Sequence, residues 1–317
     1  MSTLFHLSDL DRRQLQAVQE LWQTLPVSRR RWIVRNLVEL AEERVELYYN
    51  PIFRWLLEDP DAEVRKQAIN GLWEDEDARL IAPLARLLRE DPDEGVRAAA
   101  ATALGQFVLL GELGEIDAAV AMGAERALLA TIHTREESLE VRRRAVESIA
   151  YSSEAGVRDI IRDAYYDEDE RMRISAVFAM GRSADSYWRE VVMAELESET
   201  PAIRFEAARA CGELELREAV PSLNLLLQEE EDVEIQQAAL WALGRIGGPE
   251  ARRILLAYAA SRDEAIRDAA EAALEELAFT DDALSFTLFE FDGDMGDDFG
   301  DDDESFWDGD DEDEEAW

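Results

Sequence analysis

Any chemistry in this 317-residue chain has very few nucleophiles and bases to draw on. The histidines are His6 and His133, and neither sits in an HExxH pattern or beside other residues at metal-ligand spacing. Cys211 is the lone cysteine, which leaves no internal disulfide and no multi-cysteine metal site. It falls where the helical repeat places a core leucine or isoleucine, so an inert thiol is expected. The chain has no glycine-rich phosphate loop and no serine in a GxSxG context. Its 73 acidic residues could do acid–base work only where carboxylates converge in a pocket that separates their pKa values, and spacing alone defines no such pair. The run Asp292–Gly293–Asp294–Met295–Gly296–Asp297 approaches a calcium loop, but it lacks a ligand at the fifth position and brings glycine one residue early. Only weak collection of divalent cations is expected there. These residue types predict no catalytic residue, no cofactor and no folded metal site.

Charge narrows the partners. A formal net charge of -40 opposes nucleic acid and anionic membrane and favours a protein with a basic or mixed basic–apolar surface. Lys66 is the only lysine; every other cationic side chain is arginine, whose planar fork suits carboxylates and backbone carbonyls. From Phe279 to Trp317 there are 18 acidic residues and no basic one, which leaves -22 for the preceding chain. Self-repulsion and repeated glycine predict a disordered acidic tail over 279–317. Spaced aromatics, including Phe306, Trp307 and Trp317, give that tail apolar anchors. It could occupy a groove on an external basic protein, dock on this chain's own arginines, or serve only for solubility. Residues 1–11 have neither a basic opening nor a sustained apolar segment, so no signal peptide is expected and the cytoplasm is the expected compartment.

The elements that must position these side chains follow from a repeat. Val96–Arg97 is followed by Gly105, Met172–Arg173 by Gly181 and Ile203–Arg204 by Gly212. Ile235 is followed by Gly244, with Gln236 in place of the arginine. Successive units are about 31 or 32 residues apart. Asp59–Pro60–Asp61 and Asp91–Pro92–Asp93 punctuate the early units, because proline pre-sets a turn and aspartate accepts the free amides of an incoming helix. A pair of short helices cannot bury its apolar faces alone and must stack on neighbouring pairs. The pattern predicts an all-α, right-handed α-solenoid of about seven helix pairs, with second helices starting near Val64, Val96, Val141, Met172, Ile203, Ile235 and Ile266. The expected organisation is capping helices over 1–44, the repeat solenoid over 45–278 and the tail over 279–317. Trp22, Trp32 and Ile33 are expected to cover the open N-terminal end. The longer Val96 to Val141 interval places extra residues at Phe107–Met122, as an extended helix or a long connection.

With Asp93–Glu94–Gly95–Val96–Arg97 leading to Gly105, and Ile203–Arg204–Phe205–Glu206–Ala207–Ala208–Arg209–Ala210–Cys211–Gly212, the chain resembles the HEAT repeat family, in particular its short phycobilin-lyase-type repeats. The resemblance covers about 45–278. It implies that the arginine beside the apolar residue braces adjacent inter-helix turns, a role that maps onto Arg65, Arg97, Arg142, Arg173, Arg204 and Arg267, with a looser brace at Gln236. It further implies a protein-binding scaffold, with chromophore attachment as the alternative that some members provide. The acidity adds a third reading, an acidic, chaperone-like or nucleic-acid-mimicking binder of a basic protein.

In such repeats the second helices line the concave side. If the apolar residue of each Val–Arg-like pair is position zero, positions four, five and eight are core, and two, six and ten look outward. The outward residues of the fourth to sixth units include Ile174, Phe178 and Arg182; Phe205 and Arg209; and Trp241 and Arg245. Phe178, Arg209 and Trp241 would stand at one level of adjacent helices. Such a row is either a recognition surface or, in a tightly curved solenoid, packing between helices.

Overall fold

The computed structural model describes residues 4–292, with side chains described as far as Phe279. Two helices open the fold, α1 (Arg12–Trp22) and α2 (Val27–Glu43). Seven pairs follow. They are α3 (Asn50–Leu56) with α4 (Ala62–Asn70), α5 (Ile81–Glu90) with α6 (Glu94–Glu112), and α7 (Ala118–His133) with α8 (Leu139–Ile149). Next come α9 (Val157–Tyr165) with α10 (Glu170–Arg182) and α11 (Arg189–Ala194) with α12 (Pro201–Glu213). The last two are α13 (Val220–Glu229) with α14 (Val233–Ile246) and α15 (Gly248–Tyr258) with α16 (Glu264–Asp292). The backbone of α16 therefore continues past 279, where the sequence pattern ends the solenoid; Phe306, Trp307 and Trp317 lie outside the described residues.

The turns start helices as the sequence chemistry requires. Asp61, Asp93 and Ser138 each accept the amide three residues on, and Asp169 and Asp232 accept the amide two residues on. Thr200 makes no such bond, and Pro201 in the first turn removes one donor that would have needed a partner. The seven position-zero residues, from Val64 to Ile266, are all buried.

The second helices α2, α4, α6, α8, α10, α12, α14 and α16 form one continuous row, each packed on the next. The recurring glycine makes this spacing feasible. A Cβ added at Gly212 would lie 2.8 Å from Ala242 Cα and 2.7 Å from Trp241 Cζ3. The same crowding meets a Cβ at Gly105, Gly181 or Gly244. Glycine nine residues after the apolar residue is thus the point at which one second helix touches the next.

At the N-terminal end Trp22 is buried, donates its indole N–H to Asp59 at 2.7 Å and meets Trp55 edge-on. Ile33 is half-buried, but Trp32 is exposed and carries Arg29 over its ring, so it does not act as a cover. The extra residues before Val141 lengthen both α6 and α7 rather than forming a long loop. The turn between them passes through Gly114 in the left-handed region, φ 72°, which a Cβ would disfavour.

Candidate protein-binding surface

The repeat arginines build the frame that holds the inner row. Arg65 donates to both carboxylate oxygens of Asp91 in the next turn and to the Asp59 carbonyl of its own. Arg97 does the same with Glu137 and the Asp91 carbonyl, and Arg204 reaches Glu230 and the Ser198 carbonyl. The brace needs an acid at the first position of the following turn. After Arg173 that position is Ser198, and Arg173 stays local, bonding the Asp167 and Glu168 carbonyls of its own turn and lying 3.8 Å from Glu170. After Gln236 it is Ser261, and Gln236 likewise keeps only the local carbonyls of Leu227 and Glu230. Arg142 buries its Nε without an acceptor, and the half-exposed Arg267 reaches only Asp268. The inter-turn brace implied by the resemblance is thus present at Arg65, Arg97 and Arg204, and absent at Arg142, Arg173 and Arg267.

Along the inner row Phe178 and Trp241 are half-buried, neither sealed between helices nor fully open. Arg209 of α12 lies over the Trp241 ring of α14, 5.1 Å from its centroid, and Arg182 lies over Phe178 at 5.2 Å. Trp241 packs one edge into the space Gly212 leaves. With Phe205 and Gln237 it borders a hollow of about 390 Å³. Ile174 and Phe205 are half-buried alongside.

The arginines of this row are occupied. Glu213 lies 3.5 Å from Arg182 and 3.6 Å from Arg209, while Arg245 is 3.5 Å from Glu215 and 3.3 Å from Glu276. The Arg182–Arg209–Arg245 face is therefore not an uncompensated cationic strip that awaits an acidic segment. Glu206, on the same helix, accepts no hydrogen bond from the described residues. Burial pushes its carboxyl up to about 7, against the opposing pull of Arg209.

A larger hollow lies toward the N-terminus and was not singled out from the sequence. It has a volume of about 900 Å³ and runs across α4, α6, α8 and α10. Ala98, Ala99, Thr102 and Ala103 of α6 line it together with the rings of Trp73, Tyr151 and Phe178. The signal was available: of the nine positions that the two–six–ten register counts from Val64, Val96 and Val141, Lys66, Asn70, Ala98, Thr102, Gln106, Glu147 and Tyr151 border this hollow, and Glu74 and Arg143 do not. Arg144 there is held by Glu140 and Glu147, and Glu147 also accepts from Ser175. Lys66 has no ion-pair or hydrogen-bond partner among the described residues.

The potential catalytic side chains lie away from these hollows. His6 and His133 are exposed, the first in a short 3₁₀ turn and the second in the last turn of α7. Cys211 is fully buried and its thiol is pushed up to about 12 by burial and, secondarily, by Glu218. Among the described residues no group of three His, Cys, Asp or Glu side chains could hold a metal ion, and no helix is long and apolar enough to cross a membrane.

The paired helices, the inner row and its turn braces define an α-solenoid repeat protein. The chain belongs to the HEAT repeat family, whose pattern matches residues 50–124 and 189–275. It is similar to a HEAT repeat-containing taxis protein of Halobacterium salinarum, 32% identical over 141 residues. That match covers 38% of this chain and 34% of the relative, so the likeness spans about a third of each. Among solved structures, human deoxyhypusine hydroxylase in complex with glycerol aligns over 83% of this chain and 96% of its own, at 21% identity and TM-score 0.37. Importin beta aligns over 73% of this chain and 36% of its own, at 16% identity and TM-score 0.46.

Proposed function

We propose that this protein is a non-catalytic interaction scaffold that holds a protein partner along the inner row of second helices. One observation carries the reading: a hollow of about 900 Å³ lined by alanines and by Trp73, Tyr151 and Phe178 lies across α4 to α10, and the Arg209–Trp241 stack continues the aromatic lining into α14. Half-buried aromatics and arginines at the centre of a concavity are the residues that contribute most to interfaces. Family membership supports the same reading at the level of fold, since a repeat array offers an extended surface. The taxis role in the name of the halobacterial relative is compatible with service in a signalling assembly. The partner has a mixed basic–apolar surface, in keeping with the -22 carried outside the tail. The acidic residues of 279–317 act as a second contact or modulator.

The test is affinity capture with the intact chain and with Trp241→Glu and Tyr151→Glu variants, in parallel with circular dichroism and thermal melting. Loss of the same captured protein by both variants, with helicity retained and both variants still folded at the assay temperature, is the expected result. Retention by both variants would place the partner elsewhere.

A further inference from the structure

Lys66 stands apart from the other cations that line the large hollow. Arg144 is shared by Glu140 and Glu147, and Arg182 faces Glu213, whereas the Lys66 ammonium has no partner among the described residues. It lies beside Gly95 in the first turn of α6, 3.9 Å from where a Cβ would stand. The partial positive charge of that helix end adds to its own. Asp93, the carboxylate of the same turn, is engaged with the Val96 amide. Three cations against two carboxylates line the hollow, on a body that carries -22 outside the tail. Two other hollows offer no such spare cation. The one beside Trp241 balances Arg209 against Glu234, and in one of about 190 Å³ between α3 and α5 the arginines are committed to Asp75, Asp77 and Glu58.

Much of the remaining lining is apolar. Ala98, Ala99 and Ala103 leave room for a side chain, and Trp73, 55% exposed, offers a ring to pack against. The volume of about 900 Å³ lies in the range of ligand sites. The Arg209–Trp241 stack extends the aromatic lining two helices further, beyond what a small molecule spans, so the occupant is a stretch of chain. We propose that the hollow seats a segment of the protein partner in which an aromatic side chain adjoins a carboxylate, the ring entering among Trp73, Tyr151 and Phe178 and the carboxylate pairing with Lys66. The proposal rests on the reading of the inner row as the partner's seat and specifies what enters it. Basic groups of the partner meet the acidic outer body, and an acidic–apolar plug meets the hollow. An ion pair at this partly wet rim contributes selectivity more than affinity.

The experiment uses the full chain and three capped probes that share a ring and differ in charge: acetyl-Phe-Glu-amide, acetyl-Phe-Gln-amide and acetyl-Phe-Lys-amide. Indole N–H resonances report binding, those of Trp73 and Trp241 being assigned by phenylalanine replacement. The Glu probe is expected to shift the Trp73 resonance saturably and to bind about three- to fivefold more tightly than the Gln probe, with the Lys probe weakest. The field of the whole protein works against this order, so non-specific attraction does not produce it. In Lys66→Gln the Glu and Gln probes should bind alike, and in Lys66→Glu the Lys probe should overtake the Glu probe, with melting curves showing both variants folded. A Glu probe that leaves Trp73 unshifted overturns the proposal, as does equal binding of the three probes or tighter binding of the Lys probe to the wild type. A preference for the Glu probe that survives Lys66→Gln also overturns it. So does a Trp73 resonance that shifts when the protein alone is concentrated, because the occupant is then a second copy. Partner capture is scored separately: capture lost on Trp241→Glu, with no preference for the Glu probe, overturns the proposal and leaves the scaffold reading standing.

Discussion

Arg65 and Asp91 form a two-pronged bond, Nε and Nη2 each 2.7 Å from a carboxylate oxygen, with both residues more than nine-tenths buried or close to it. The pair links the turn of one repeat to the turn of the next, because the remaining guanidinium nitrogen donates to the Asp59 carbonyl at 2.8 Å. Removing one partner leaves the other buried and uncompensated, at a cost of about 3–5 kcal/mol. Arg65→Met and Asp91→Ala should therefore each lower stability by that amount in urea titrations, and Arg65→Lys should recover little, since an ammonium cannot make the forked contact. The same change at half-exposed Arg267 should stay within about 0.5 kcal/mol. Equal effects at Arg65 and Arg267 would dismiss the turn-to-turn brace as a stabilising element.

The row of glycines leads to a second expectation. At Gly212 a methyl group has no room: Trp241 Cζ3 and Ala242 Cα stand 2.7 and 2.8 Å from its position. Gly212→Ala should cost about 1–3 kcal/mol through overpacking, despite the better helix propensity of alanine. It should also shift the emission of Trp241, whose ring has to move. Gly156→Ala is the control, because nothing lies within 4 Å of a Cβ there. If the two variants melt alike, close approach at Gly212 is not what sets the helix spacing.

Glu206 sets the sign of a pH effect. Its carboxyl is raised from 4.5 to about 7, mainly by burial. In the window between those values the folded state binds the proton more tightly than the unfolded state does. The stabilisation is complete below about 4.5 and is lost as pH rises through about 7. Wild-type stability relative to Glu206→Gln should therefore fall by about 2 kcal/mol between pH 5 and pH 8. Asp61, Asp169 and Glu230 are shifted the opposite way by arginine or backbone partners, and their contribution disappears only at lower pH. A pH-independent difference between wild type and Glu206→Gln would rule out the buried, protonated carboxyl.

The fold was legible because its determinants are local and repeated. A position-zero residue, a capping aspartate and a glycine at fixed offset state the helix, its start and its contact with the next unit, and the seven pairs follow from their recurrence. The site was legible only in part. Phe178, Arg209 and Trp241 stand half-buried on the second helices where the register places them, but that half-burial depends on how closely the helices approach, which Gly212 controls from the neighbouring helix. The arginine pairing was hidden for a related reason: whether Arg173 braces the next turn is decided by Ser198, 25 positions away, not by its own motif. The larger hollow is less legible because much of its lining is alanine and threonine. Small residues draw no notice in a search for aromatic rows, although their smallness is what makes the cavity.

That hollow gives the final expectation. Trp73 is exposed, and Tyr151 is half-buried just past the end of α8. Trp73→Ala should therefore change stability by less than about 1 kcal/mol, whereas Tyr151 packs against the core and Tyr151→Ala should cost about 1–3 kcal/mol. If both line the partner's seat, each should weaken partner retention by roughly tenfold or more, as loss of a central aromatic costs about 2 kcal/mol of binding. Leu225 is the surface control: it is 47% exposed on α13, outside the second-helix row, and Leu225→Ala should leave retention unchanged. The check is competition binding with the protein recovered in the capture experiment, measured beside melting curves for all three variants. Should Leu225→Ala weaken retention while Trp73→Ala and Tyr151→Ala do not, the partner sits on the first-helix side and the inner row serves packing alone.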